Sequence, residues 1–544
     1  MLNNQLVRMS KPSLTVISAI VICLLGSALW MSQVPHNVQW GDEPLIVFDH
    51  ISQIKNGASI SSLNYARIPS LFPDYALAFI TSIFTPSIRD QYFWFTLLTG
   101  GLQILMMSAL VKQITKSNLS FNALLVSTIG YTLGLINQNI AFNLSFARYP
   151  VNHGGNLILV LLAANLFLAS SSLPPRGPGL IKPAGQAALN FFAVISNRIF
   201  IPQATIPLII GNAYRLTKAP KNGRNRKQFT ITIASITASA LLALLISKLV
   251  ISTGCTPPIS TSVDGFQAVV QEMFNDNNAL AASSGFIICL GLLLPILLPA
   301  EDKDTAARKK KNEYIIFSLS STLITLSLWS LLWRNEPAGT YYNRYIFNLY
   351  GFAIIGFSLS ADKALCLARL KNINIKVLSF AVLFIGILAT QTSNLSESFR
   401  VFSRHTNPYA QLIRNQTESQ EKTFVLTDQQ GFKGSRGIKA STNEKIWASS
   451  ISSDGAPNPW DQGKSEFRKR KSRDINDYSI IMTSPTNTEK MIDRYGEPQT
   501  VTTDEELGVS LLIYSTEESL AGIKKSIKRS LRGDFKIQCP SPFD

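Results

Sequence analysis

Up to about residue 392 the chain is a succession of apolar runs broken by short polar segments, and beyond it no such run remains. A helix needs roughly 17–25 apolar residues to cross about 30 Å of hydrocarbon. The runs predict spans over about 13–32, 92–111, 119–138, 155–171, 184–196, 199–214, 230–251, 284–299, 315–332, 346–360 and 376–392. The fifth and sixth are short and flank Ser196, Asn197 and Arg198; read as a hairpin, they keep the basic segments on either side of them together. The first run has no small-residue cleavage site before Gln33, so it reads as a retained span rather than a removed leader. A further apolar stretch, 75–85, lies between Pro73 and Pro86 and is too short to span, so it predicts a half-buried or interfacial helix. After 393 the pattern changes to short apolar runs at 424–427, 479–482 and Val509–Tyr514, read as strands, and a helix at 486–495 ended by Gly496. The fold expected is mainly α: a polytopic transmembrane bundle of about eleven spans over 1–392, followed by an extracytoplasmic α/β domain over 393–544.

Composition supports that division. Only 16% of the 544 residues are charged, against about 25% in an ordinary soluble domain. The net charge of +17, from 51 Lys and Arg against 34 Asp and Glu, could signal nucleic-acid binding, but its placement gives another reason. Arg8 and Lys11, Lys112 and Lys116, Arg176 and Lys182, the six basic residues of 215–227, the segment 301–313, and Lys363 through Lys376 fall in every second connection. That is the positive-inside pattern of cytoplasmic loops, and it leaves no call for a nucleic-acid partner. The five cysteines show no metal-type spacing; Cys23 and Cys289 sit in apolar runs, and Cys255 and Cys539 fall in one compartment, where they are able to pair.

The alternate connections then face outward together: 33–91, 139–154, the turn at Asn197, 252–283, 333–345 and the tail. They hold polar residues at headgroup level. The first carries Asp42, Glu43, Asp49, His50, Arg67 and Asp74; the second, "NLSFARYPVNHGGN", carries Arg148, Asn152 and His153; the turn carries Arg198; and "WRNEPAGTYYNRY" carries Arg334, Glu336, Tyr341, Tyr342 and Arg344. Tyrosine and arginine often merely anchor a protein at the interface, and Tyr341, Tyr342 and Tyr345 fit that reading. Arginines kept outside work against the orientation signal, and bidentate binding of a phosphate is a reason to keep them. A carboxylate facing a sugar phosphate accepts a proton as an acceptor hydroxyl attacks the anomeric carbon, and cations stabilise the departing phosphate. Nucleotide sugars are not normally present outside the cytoplasm, so the donor expected is a lipid-linked sugar reached through the bilayer.

These segments resemble the GT-C membrane glycosyltransferases, such as the protein O-mannosyltransferases and the lipid A aminoarabinose transferase. The family's acidic pair after the first span is similar to Asp42 and Glu43 in "WGDEP", and its proline-aromatic segment to "SLFPDYALAF". Its arginine before a later span is similar to Arg148 in "FARYPVNHGGNLILVLLAANL", where the acid that follows in the family is replaced by Asn152 or His153. The resemblance implies a bacterial inner-membrane enzyme with a cytoplasmic N-terminus. Its donor would be a polyprenyl-phosphate sugar, and its acceptor an extracytoplasmic glycan, lipid or protein. By the same resemblance Asp42 is the catalytic base and Glu43 assists it. The resemblance also makes Arg148 and Arg344 phosphate contacts, and with Arg67, Asp74, His153, Arg198, Arg334 and Tyr342 of the outward connections they form the expected substrate-binding set. A divalent cation accompanies some relatives, so the resemblance leaves one open and implies no cofactor with certainty.

Other readings compete. His36, His50, His153 and His405 all fall outside and, with Asp42 and Asp49, offer metal ligands without standard spacing. A transporter or flippase would show repeats and charges at mid-span, and neither is visible. An O-antigen polymerase or ligase also uses outer arginines but places its main outer loop late. The basic segment "GKSEFRKRKSRD" reads as a solvated loop or a contact for anionic glycans or headgroups.

Overall fold

The computed structural model describes residues 11–33, 42–55, 70–146, 154–170, 181–220, 224–250, 271, 273–277, 279–297, 305–331, 346–367, 373–396, 407–417, 423–429, 434–442, 446–455, 479–523 and 525. In chain order the helices are α1 (Lys11–Met31), α2 (Asp42–Lys55), α3 (Ala76–Phe84), α4 (Ile88–Thr115), α5 (Leu119–Ile136), α6 (Gln138–Phe146), α7 (Gly154–Ser170), α8 (Ile181–Ser196), α9 (Ile206–Lys218) and α10 (Arg224–Val250). They continue with α11 (Ser284–Leu297), α12 (Thr305–Leu331), α13 (Phe347–Leu367), α14 (Ile373–Thr390), α15 (Pro408–Thr417) and α16 (Ser435–Ser441), and end with α17 (Thr488–Tyr495). Two short π-helical turns, Leu71–Tyr75 and Ile201–Thr205, precede α3 and α9. Each of the apolar runs overlaps a helix, and among the described residues four helical segments are long and apolar enough to cross a membrane: Ile88–Thr115, Leu119–Ile136, Asn225–Ser247 and Phe347–Cys366. The stretch 75–85 is the amphipathic α3, with Leu77 and Ala78 buried and Phe79, Ile80, Ile83 and Phe84 exposed.

Cross-chain bonds sort the helix ends into two margins. At one, Gln33 donates to the Tyr131 carbonyl at 2.7 Å, and Asn137 donates to the Ala282 carbonyl at 2.9 Å. There too Asn143 donates to the Tyr350 hydroxyl at 3.2 Å, and the Ser70 amide donates to the Ser196 carbonyl at 2.8 Å. At the other, Ser120 donates to the Thr15 carbonyl at 3.0 Å, Ser117 donates to Asp362 at 3.0 Å, and Lys376 pairs with Asp362 at 3.5 Å. Arg215, Glu313 and Ser170 also meet at that second margin. The described helix ends that these bonds join thus fall into two groups.

Small residues and buried amides bind the bundle. Gly291 of α11 and Gly356 of α13 let two backbones touch: a side chain on Gly356 would overlap the Gly291 carbonyl. Gly211 leaves room for the Phe167 ring, which would lie 2.5 Å from an added Cβ. Asn190 bonds the Ile236 carbonyl at 3.1 Å and Ser239 at 2.9 Å, joining α8 to α10. Asn165 joins α7 to α4 through the Met106 carbonyl at 2.9 Å. Such bonds satisfy groups that hydrocarbon cannot.

The C-terminal sheet has β1 (Thr423–Thr427), β2 (Ile446–Ser450), β3 (Ser479–Thr483), β4 (Thr500–Asp504) and β5 (Val509–Tyr514), in the order β2-β1-β3-β5-β4. The β2-β1-β3 part is parallel, with Val425 level with Ala448 and Ile480, while β5 runs antiparallel to β3 and β4. β1 and β3 are buried along their whole length, which explains why they read as unbroken apolar runs. One face packs Leu426, Ile481 and Leu512 on Met491, Tyr495 and Leu520. The other packs Val425, Ile480 and Ile513 with Ile413 and Ile438. The run 486–495 is a 3-10 turn, Pro485–Asn487, leading into α17, which ends at Gly496 with φ 91°.

Candidate active site at the outer helix layer

The acidic pair opens a helix. Asp42 and Glu43 stand at the first two positions of α2. Pro44 is tolerated there because first-turn amides have no intrahelical acceptor. Lys55 closes the helix at its negative end and donates to the Ser82 carbonyl of α3 at 2.7 Å.

From Leu45 to Ile51 every residue of α2 is buried, so the helix is covered on more than one face. Leu45, Val47, Phe48 and Ile51 pack with Leu77, Tyr92 and Phe95, the Phe48 ring standing edge-on to Tyr92 and Phe95 at 5.9 and 5.7 Å. The His50 Nδ1 shares a 2.6 Å hydrogen bond with the Tyr75 hydroxyl, tying α2 to the π-turn that holds Asp74. Asp49 faces the C-terminal domain, where Lys439 and Arg436 of α16 approach its carboxylate to 3.4 and 4.0 Å. Gln53 also donates to Asp49, at 3.2 Å.

These neighbours set the charge states. Burial alone would raise the Asp49 pKa, but Lys439, Arg436 and His50 together outweigh it and hold the carboxyl below its ordinary range. Burial pushes the His50 ring down from 6.5 to about 4; Arg436 and Lys439 act with it, and Asp49 only partly opposes it. At neutral pH the layer therefore carries an ionised Asp49 beside a neutral His50.

Asp74 is 1% exposed in the turn Leu71–Tyr75. Its carboxylate lies against Gly155 in the first turn of α7, so close that a Cβ there would overlap it. Asp74 thus meets the first turn of α7. The same turn is fixed to the α8 hairpin: the Phe72 amide donates to the Ser196 hydroxyl at 2.9 Å. Arg198, in that hairpin, donates to the Ser247 hydroxyl of α10 at 3.3 Å. Directly behind Gly155, Asn156 bonds Gln203 of the second π-turn. Ser321 donates to the Gln203 carbonyl at 2.6 Å, and Asn348 donates to Ser321 at 2.9 Å. This buried polar chain links α7, α12 and the start of α13, and sequence reading missed it, because single amides inside apolar runs do not reveal that they meet.

Of the sequence-derived set, Asp74 sits in the turn bonded to α2 through His50 and to the Arg198 hairpin through Ser196, and the side chains of Asp42 and Glu43 lie outside the described residues. Arg67, Arg148, His153, Arg334, Tyr342 and Arg344 lie outside the described residues, as do Cys255, Cys539 and the basic segment 463–474. The metal reading rests on His36, His153 and His405, also outside them; His50 bonds Tyr75, and among the described residues no three His, Cys, Asp or Glu side chains converge as metal ligands.

No family model matches the chain, and no curated protein matches it. Among solved structures it aligns with the Archaeoglobus fulgidus oligosaccharyltransferase in complex with zinc and sulfate. That alignment has 11% identity, 85% of this chain, 67% of that chain and a TM-score of 0.41. The apo form of the same enzyme aligns at 12% identity over 87% of this chain and 70% of that chain, with a TM-score of 0.42.

Proposed function

We propose that the chain is an integral-membrane glycosyltransferase of GT-C type. It spans the membrane about eleven times, with the basic margin in the cytosol, and transfers a sugar from a polyprenyl-phosphate donor to an extracytoplasmic glycan, lipid or protein. The observation that carries this reading is the meeting of α2, the Asp74 turn and the N-terminus of α7 at the margin away from the basic connections. Carboxylates are costly near lipid, and the burial of Asp49 and Asp74 in adjoining segments supports a site there. The "WGDEP" and "SLFPDYALAF" resemblance supports the same assignment.

In the mechanism proposed, the lipid tail lies along the bundle and the sugar phosphate sits at the margin. Asp42 accepts the proton of the acceptor hydroxyl as its oxygen bonds to the anomeric carbon. The bond from that carbon to the phosphate oxygen breaks, and the phosphate leaves with the lipid. Arg148, Arg198, Arg334 and Arg344, with Arg67, stabilise its charge, while Glu43, Asp74, His153 and Tyr342 orient the sugar.

The test is release of lipid phosphate from a panel of polyprenyl-phosphate hexoses and pentoses by the purified protein. Asp42→Asn is expected to abolish release with unchanged membrane insertion and abundance. Wild-type turnover by that variant removes the base assignment, and no release from any donor favours a transporter.

A further inference from the structure

We propose that the C-terminal domain holds the reactive helix in register through Asp49, which acts as a positioning residue latched by Arg436 and Lys439; this rests on the reading of α2 given above. The seven consecutive buried residues, Leu45–Ile51, are the starting observation. A helix lying on one partner leaves a face in water, so α2 has a second partner. The first covers Leu45, Val47, Phe48 and Ile51 from the α3 and α4 side. The second is α16, which packs on α2 and reaches α4.

The face given to α16 follows the helical repeat. Positions 42, 46, 49 and 53 recur at intervals of four, three and four, and so share one stripe. Position 43 shares its stripe with Val47 and His50. The latch at Asp49 therefore lies on the stripe of Asp42, two turns and about 10 Å along the axis. His50 pins the neighbouring stripe to Tyr75 at 2.6 Å. Together the two bonds fix both the rotation of α2 about its axis and its height, which are the quantities that place residues 42 and 43. A roll by one residue would turn the acidic pair by about 100°.

The chemistry of the latch suits a register device better than a plain adhesive. Asp49, Arg436 and Lys439 are 7%, 4% and 4% exposed. Apolar side chains would hold two surfaces together at lower desolvation cost, and buried ions are best attested where they specify one alignment among several. One carboxylate between two cations accepts only the rotation that presents Asp49.

The experiment uses the full-length protein in lipid nanodiscs. Amide exchange is followed in peptides from 42–55, and donor cleavage is measured alongside. Asp49→Asn and Lys439→Met are each expected to speed exchange across α2 at least tenfold, with peptides of α13 unchanged, and Asp49→Glu to stay near wild type. Both disruptive variants should lose at least tenfold in kcat for donor cleavage with KM for the donor within twofold. Unaltered α2 exchange in both variants overturns the latch, and faster exchange with unchanged kcat overturns its positioning role. If Asp49→Asn fails to accumulate, Lys439→Met decides alone, because it alters only the C-terminal side. Absence of release by the wild type ends the glycosyl-transfer reading, and the exchange result still decides the latch.

Discussion

The Asp74 carboxylate lies where the first side-chain carbon of anything larger than Gly155 would have to go. Gly155→Ala is therefore expected to force apart the turn Leu71–Tyr75 and the start of α7. Overpacking of this kind costs about 1–3 kcal/mol, read as a lower Tm in detergent, and donor cleavage should fall at least tenfold. Adding Asp74→Ala should recover part of the lost stability and none of the activity. Full additivity of the two stability effects would show that the residues do not compete for one space.

Arg215 and Glu313 form a closed set at the opposite margin. Two bonds of 3.0 and 2.5 Å join them, and Arg215 also donates to Ser170 and to the Phe167 carbonyl and lies over the Phe167 ring at 3.8 Å. Glu313→Ala leaves a buried guanidinium without its counter-charge and should destabilise by about 3–5 kcal/mol. Arg215→Met with Glu313→Leu should cost less than either change alone. Thermal unfolding of the three variants checks the order.

Gly356 and Gly386 make a matched pair. A side chain at 356 overlaps the Gly291 backbone, whereas an added Cβ at 386 has nothing within 4 Å. Gly356→Val should part α11 from α13 and lower Tm by several degrees, while Gly386→Ala should be neutral or gain about 0.5–1 kcal/mol from helix propensity. Equal effects would contradict the close crossing.

Acid should loosen α2 in two stages. His50 is held at about 4 against 6.5 for a free ring, so an unfolded chain binds a proton that the folded one refuses. The stability this contributes is complete above 6.5 and is lost as pH falls towards 4, with an upper value of roughly 3 kcal/mol. Asp49 is also depressed, so its contribution, complete above the ordinary carboxylate value, fades only as pH falls further. His50→Gln should flatten the first stage. Amide exchange of 42–55 between pH 7 and 3.5 separates the stages.

The helices were legible because lipid-facing and core-facing positions are both apolar, and the runs announce themselves without knowledge of partners. Charge placement groups the helix ends by side, and the Ser117–Asp362 and Asn137–Ala282 bonds each join ends that it groups together. What sequence hid was α2, read only as part of an outer loop: "DEPLIVFDHISQIK" mixes acids, a proline and a histidine into its apolar positions. Tertiary partners supply a mate for its buried polar groups: Tyr75 for His50, Lys439 for Asp49. β2 and β4 were hidden for related reasons. β4, "TVTTD", is an edge strand with little apolar content, and β2, "IWASS", depends on pairing with β1. Asp74 was named as a sugar contact, but its approach to α7 requires the π-turn, which no periodicity reports.

The bond between Lys439 and Asp49 joins residues 390 positions apart. During synthesis α2 leaves the ribosome among the first segments, and α16 among the last. For most of that interval Ile46 and Asp49 have no lid, and the front of the molecule stays unfinished while the bundle inserts. A chain cut short before residue 435 would keep the helices from α1 to α15 and lack α16, which packs on α2. The cover over Ile46 and Asp49 is thus completed only once the tail has been made.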